Sequence, residues 1–245
     1  MPNTLQSLAR KVLPLAVRRR IIFYTRWPPV GLVRFGSLRR LKPISSKWGM
    51  DRGKPIDRYY IERFLAAKSS YIQGRVLEIG DDTYTRMFGG NRVIQSEVLH
   101  VAERNSKVTI IADLTSADGI PPASFDCIIL TQTLQTIFDL PAVIRTIYRI
   151  LKPGGVALVT IPGISRISRY DMDRWGYYWS FTTKSAQRLF EAVFPGSNVQ
   201  VQAHGNVLTA IAFLQGLATE ELRLEELNYV DPDYELLITV TASKA

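Results

Sequence analysis

Val76-Leu77-Glu78-Ile79-Gly80-Asp81-Asp82-Thr83 is a short apolar run that ends on a carboxylate and a glycine. Such a run reads as a buried strand, and the glycine behind it lets backbone approach a ligand closely. On either side of it, Arg92–Ser96, Val108–Ala112, Asp126–Thr131, Val156–Ile161, Asn198–Gln202 and Leu236–Thr241 read as further strands. Helical spacing marks residues 56–67 through Tyr60, Ile61, Phe64 and Leu65, then Leu140–Leu151, Thr183–Val193 and a broken Val207–Glu226. Strands that alternate with helices predict an α/β fold, a parallel sheet with helices on both faces. About ten residues, Asp81–Gly90, separate the first two strands, so the first crossover helix is predicted to be short.

At 245 residues and 46% apolar composition, the chain is long enough and greasy enough for one large core. The single cysteine, Cys127, excludes an internal disulfide framework and any multi-cysteine metal site. It falls inside a strand and reads as a small core residue. No window has the ~18–20 apolar residues of a bilayer span, and Val12–Val17 is too short for a signal sequence. These features predict a cytoplasmic protein with no metal.

The charge of +9 is unevenly placed. Residues 1–50 carry eleven Lys and Arg and no acid, leaving 20 of the 31 basic residues against 22 acidic ones, a balance of −2. Residues 1–50 therefore read as a basic N-terminal arm and residues 51–245 as the domain. Apolar groups interspersed with Arg18-Arg19-Arg20 predict a basic amphipathic helix near 4–24. Packing on the domain is one reading of it, and an anionic membrane surface, an acidic glycan and nucleic acid are the other partners it could meet. Peripheral attachment through residues 1–24 follows from the membrane reading.

In an open α/β sheet, ligands bind beyond the carboxyl ends of the strands. Glu78 and Gly80 stand at the end of the first strand. Glu97, where the second strand is predicted to end, suits a carboxylate accepting from ribose hydroxyls. Asp113, after the third strand, can accept from an adenine amino group. Gly80-Asp81-Asp82-Thr83-Tyr84-Thr85 lacks the glycines of a nicotinamide site, and no nucleophile elbow or phosphate-binding Gly-Lys-Ser/Thr loop is present.

Val76-Leu77-Glu78-Ile79-Gly80, then Ala112-Asp113-Leu114, then Ser124–Leu130, and above all Leu151-Lys152-Pro153-Gly154-Gly155-Val156, resemble class I S-adenosylmethionine-dependent methyltransferases. The likeness is to the type 11 branch, including members associated with glycan assembly, and covers residues 72–245. It implies a Rossmann-like, seven-stranded, mostly parallel sheet whose last strand runs antiparallel, with S-adenosyl-L-methionine as the methyl donor. Glu78, Gly80, Glu97 and Asp113 would seat that donor. Gln132, at the fourth-strand exit, would border the transferred methyl. Asp82 and Tyr84 replace two glycines of the family's first loop. A tyrosine or aspartate there can crowd the methionine end of the donor, or Asp82 or Thr83 can bind its amino group. Arg58 and Tyr59, in the charged stretch 48–60 that runs into the first helix, are placed over the cofactor, with an arginine pairing the methionine carboxylate.

The acceptor side is read from Arg166–Phe181, where aromatic rings interleave with arginines and carboxylates. Tyr170, Asp173 and Trp175 are candidate substrate-binding residues, and Asp171 and His204 candidate bases. The pattern suits O-methylation of a sugar or another small polar hydroxyl compound. Two alternatives stand beside it: a nucleic-acid methyltransferase that grips phosphates through the arm, and a non-catalytic scaffold with a degenerate donor site.

Overall fold

The computed structural model describes residues 14–17, 27–102 and 107–245. Most of the helix expected near residues 4–24 lies outside them. Val17 N–H donates to Pro14 O at 3.0 Å within the short described piece. The chain divides into two compact units at Lys42 and Pro43, and the second, Pro43–Ala245, holds the whole of the sheet.

Seven strands form that sheet: β1 (Gly74–Ile79), β2 (Val93–His100), β3 (Ile110–Ile111), β4 (Phe125–Thr131), β5 (Leu151–Pro162), β6 (Val199–His204) and β7 (Leu237–Ser243). Their order is β3-β2-β1-β4-β5-β7-β6. All pairs are parallel except those of β7, which runs antiparallel to both β5 and β6. The predicted Rossmann-like sheet with an antiparallel last strand is therefore the observed one.

The alternation along β4 explains the two layers. Ile128 and Leu130 point into one core with Val143, Ile144 and Ile147 of α2 (Leu140–Ile150) and Ala186 and Phe190 of α4 (Thr183–Glu191). Cys127 and Ile129 point into the other, with Ile61 and Phe64 of α1 (Ile56–Ala67) and Ala210 and Phe213 of α5 (Val207–Gln215). A strand buried on both faces must be apolar at every position, which is why Cys127–Leu130 is unbroken. Asp139 starts α2 by accepting from Ala142 N–H at 3.0 Å. Gly216, in the left-handed region at φ 70°, ends α5 where the sequence reading carried a broken helix on to Glu226. The chain resumes with a 3-10 turn at Thr219–Glu221 and then α6 (Leu224–Asn228), while α3 (Arg169–Arg174) stands between β5 and α4.

Two boundaries differ from the sequence reading in ways that matter. β2 does not stop near Glu97; it continues through Val98 and Leu99 to His100, because those residues pair with Glu78 and Ile79. β3 is reduced to Ile110–Ile111, which puts Asp113 two residues beyond its end. The first crossover is short, a π-helical turn over Thr85–Gly89 followed directly by a 3-10 turn, Gly90–Arg92.

Candidate active site

A cavity of about 560 Å³ opens at the carboxyl ends of the first four strands, where the strand order switches. Ile79 and Gly80 line it from β1, Leu99 and His100 from β2, Asp113 from β3, and Gln132 and Thr133 from β4. Asp171 and Trp175 close it from α3. Its size lies within the ≈300–1,000 Å³ usual for small-molecule sites. Gly80 sits at φ +94°, and a side chain begun there would meet nothing within 4 Å. The space above this glycine is thus open to a ligand, as close backbone approach requires.

Glu78 does not face that space. It is 2% exposed, and its carboxylate accepts from Tyr84 N–H at 3.1 Å, Thr85 N–H at 2.7 Å and Thr85 Oγ1 at 2.7 Å. Burial pushes its carboxyl up to about 7, against the opposing pull of these bonds. Its role in the structure is to hold the turn that presents Gly80.

Glu97 must be corrected in place. It lies mid-strand, where Arg75 Nη2 donates to it at 3.0 Å and Gln95 Nε2 at 2.6 Å, and it is not part of the cavity wall. Burial pushes its carboxyl upward, but bonds from Thr109, Arg75 and Gln95 outweigh this and hold it below its ordinary value. His100 occupies the strand end instead, its Nδ1 3.0 Å from Ala102 N and its ring edge-on to Trp175 at 5.6 Å. Glu97→Ala is therefore expected to leave S-adenosylhomocysteine affinity within about twofold, since its carboxylate is taken up by Arg75 and Gln95 and does not line the cavity. It should cost about 1 kcal/mol of stability, because Arg75 loses its partner but stays partly solvated. Calorimetric titration and urea unfolding of the variant check both; a large loss of affinity would return Glu97 to the site.

The replaced loop glycines resolve as packing. Tyr84, 4% exposed, stacks on Phe88 at 6.2 Å and accepts a hydrogen bond from Arg58, whose guanidinium lies 5.7 Å over its ring. Asp82 is paired with Arg86 and with Lys107 at 3.2 Å. Neither residue lines the cavity, so neither crowds it.

A second, smaller cavity of about 180 Å³ adjoins. Asp57 and Arg58 of α1, Gln135 after β4, and Ser165 and Tyr177 around α3 contribute to it. Gln132 and Asp171 line both cavities and mark where they meet. Burial holds the half-buried Asp57 carboxyl above its ordinary value. Ser168 Oγ accepts from Asp171 N–H at 3.3 Å, fixing the first turn of α3. The α3 segment is pinned to the β4 exit by Tyr178 N–H donating to Gln135 O at 2.7 Å and Trp179 Nε1 to Ile137 O at 3.0 Å.

The remaining sequence candidates fall outside both cavities. Tyr59 donates to Asn228 Oδ1 at 2.7 Å on the outer side of α1. Tyr170 lies under the Arg174 guanidinium at 3.6 Å, and Asp173 is exposed. His204 stacks on Tyr60 at 5.7 Å and pairs with Thr239 Oγ1 at 3.1 Å. Burial, then the nearby Arg63, lowers its pKa from 6.5 to about 4. The unfolded chain takes up a proton below 6.5 that the folded chain refuses until about 4, so stability falls as pH drops through that window. His204→Gln should flatten that loss by about 2–3 kcal/mol between neutral pH and the acid end of the window. Urea unfolding across the window tests it, an unchanged pH slope being the contrary result.

The sequence puts His100 after the second strand on the ribose side and reads it as a structural residue, whereas the structure places it in the wall of the larger cavity. Gln135 and Trp48, in the wall of the smaller one, are not singled out as site residues by the sequence. Gln135 and Trp48 are brought in by tertiary packing alone.

Residues 55–206 match the profile of the methyltransferase domain family. Among solved structures, similar folds include an S-adenosylmethionine-dependent methyltransferase from Archaeoglobus fulgidus, with a TM-score of 0.52, 13% identity, and coverage of 76% of this chain and 94% of that one. A putative sarcosine dimethylglycine methyltransferase from Galdieria sulphuraria gives 0.52 and 14%, covering 76% and 86%. The [4+2]-cyclase SpnF gives 0.51 and 17%, covering 79% and 83%. No curated protein matches. A cyclase among these likenesses shows that the sheet itself does not decide the reaction.

Proposed function

Because this chain belongs to the methyltransferase domain family, we propose that it moves a methyl group from S-adenosylmethionine to a hydroxyl of a sugar or another small polar compound. The observation that supports this reading is the meeting of a cavity of about 560 Å³ with a polar one of about 180 Å³ at Gln132 and Asp171. The larger fits the donor: Gly80 offers open space at the end of β1, and Asp113 lies beyond β3 to accept from the base. When bound, the donor supplies an electrophilic methyl on a positively charged sulfur.

Transfer is then mainly a matter of holding two partners in line. An acceptor hydroxyl held in line would take that methyl as the donor's carbon–sulfur bond broke with its electron pair left on sulfur, and Asp171 would receive the hydroxyl proton. Asp171 is suited to that proton because it borders both chambers and its backbone is held by Ser168. Arg58, on the small-cavity side, brings a cation whose orientation is set by Tyr84.

The test is calorimetry with S-adenosylhomocysteine, followed by transfer of labelled methyl from S-adenosylmethionine to hexoses. Micromolar binding and an O-methylated product are expected. A chain that binds no S-adenosylhomocysteine would instead be a scaffold with a lost donor site.

A further inference from the structure

We propose that Gln132 and Gln135 form a matched donor–acceptor pair that reads the acceptor's hydroxyl and so excludes ammonium and carboxylate groups from the reacting position. This rests on the methyltransferase reading above and assigns the chemical class of its acceptor.

Gln135 is 4% exposed. Its Nε2 donates to Gln132 O at 2.7 Å, which fixes which amide atom points which way. Its Oε1 is then left buried with no partner in the wall of the small cavity. Gln132 Nε2 is likewise buried and unpartnered, and Gln132 lines both cavities. Two orphaned amide atoms of opposite polarity, on two residues that both line the small cavity, are costly in an empty site, because each gave up water for nothing.

The backbone supports the same reading. Gln132 has φ 48°, in the left-handed region that a glutamine rarely enters. It is held there by Gln132 N–H donating to Thr160 O at 2.9 Å and by the Gln135 side chain on its carbonyl. Strain of this kind persists where the surroundings impose it, and it clusters at working sites.

A hydroxyl both donates and accepts, so one hydroxyl satisfies Gln135 Oε1 and Gln132 Nε2 together. An ammonium has only donors and leaves Gln132 Nε2 facing a cation. A carboxylate has only acceptors and leaves Gln135 Oε1 facing an anion. The chamber of about 180 Å³ holds roughly one ring, and the Trp48 and Phe213 rings, 5.5 Å apart, give it an apolar wall. Asp57, Arg58 and Asp171 line other parts of the same chamber, so the selection acts on the group placed at the two glutamines, and a hydroxyl-bearing ring is the class that fits there.

The full chain and its Gln132→Asn and Gln135→Leu variants are to be assayed for labelled-methyl transfer to hexoses, 6-deoxyhexoses and primary amines of equal size. S-adenosylhomocysteine titration is run in parallel. Asparagine tolerates positive φ, so Gln132→Asn keeps the fold while withdrawing the amide from the junction. The wild type is expected to label hydroxyl compounds only. Each variant should lose about tenfold or more in kcat/KM toward them, and Gln135→Leu, which lies outside the larger cavity, should hold S-adenosylhomocysteine within about twofold. Unchanged kcat/KM in both variants would overturn the pair's role. So would a wild type that binds S-adenosylhomocysteine yet labels only the amines, or none of the panel. Absent S-adenosylhomocysteine binding would instead defeat the methyltransferase reading itself.

Discussion

Gly80→Leu is expected to weaken S-adenosylhomocysteine binding by about 100-fold or more, because the new side chain enters the space that the donor must fill. A Cβ at this position meets no protein atom within 4 Å, so the fold itself offers no steric objection. The cost to stability comes only from φ +94°, about 1–2 kcal/mol for a side chain in the left-handed region. Affinity and stability should therefore separate: thermal unfolding shifts modestly while binding is lost. Calorimetry and a melting curve on the same sample decide it. Retained affinity would mean that the donor does not lie over β1.

Asp171→Asn should lower the rate of methyl transfer by about 100-fold or more, the range of a positioned general base. Donor affinity should change little, since asparagine keeps the size of the side chain and the hydrogen bond from the backbone to Ser168. Single-turnover transfer under saturating donor reads the chemical step. A fully active variant would leave transfer to positioning alone, with Gln132 and Gln135 as its agents.

Much of this architecture is legible in the chain alone. The unbroken apolar runs at Val76–Leu77 and Cys127–Leu130 announce strands covered on both faces. The Leu151–Val156 turn announces a strand after a helix, and β5 takes in the whole of it. Gly80, Asp113, Gln132, Asp171 and Trp175 stand out in the sequence, and all five line the larger cavity. Glu97 was misplaced because a carboxylate looks like a strand end when the strand is read alone. Val98 and Leu99 extend it only because β1 and β3 offer backbone partners on either side. Asp82 and Tyr84 looked like obstacles because their side chains were assigned no partners. Arg86, Lys107 and Arg58 turn both aside.

His204 shows the same limit from the opposite direction. Chain position beside Gly205 suggested a base, but β6 lies at the edge of the sheet, where Tyr60 and Thr239 enclose the ring away from the cavities. Fold class, the strand ends where a ligand can sit and the uneven placement of charge were all set by the order of residues. Those follow from hydrophobic period, glycine and composition, which are local or additive properties. Packing in three dimensions settled which side chains face the cavities, which are consumed by ion pairs, and which amide atoms are left without partners. Such assignments depend on groups as distant in sequence as Arg75 and Glu97, or Gln132 and Asp171, and no local spacing records them.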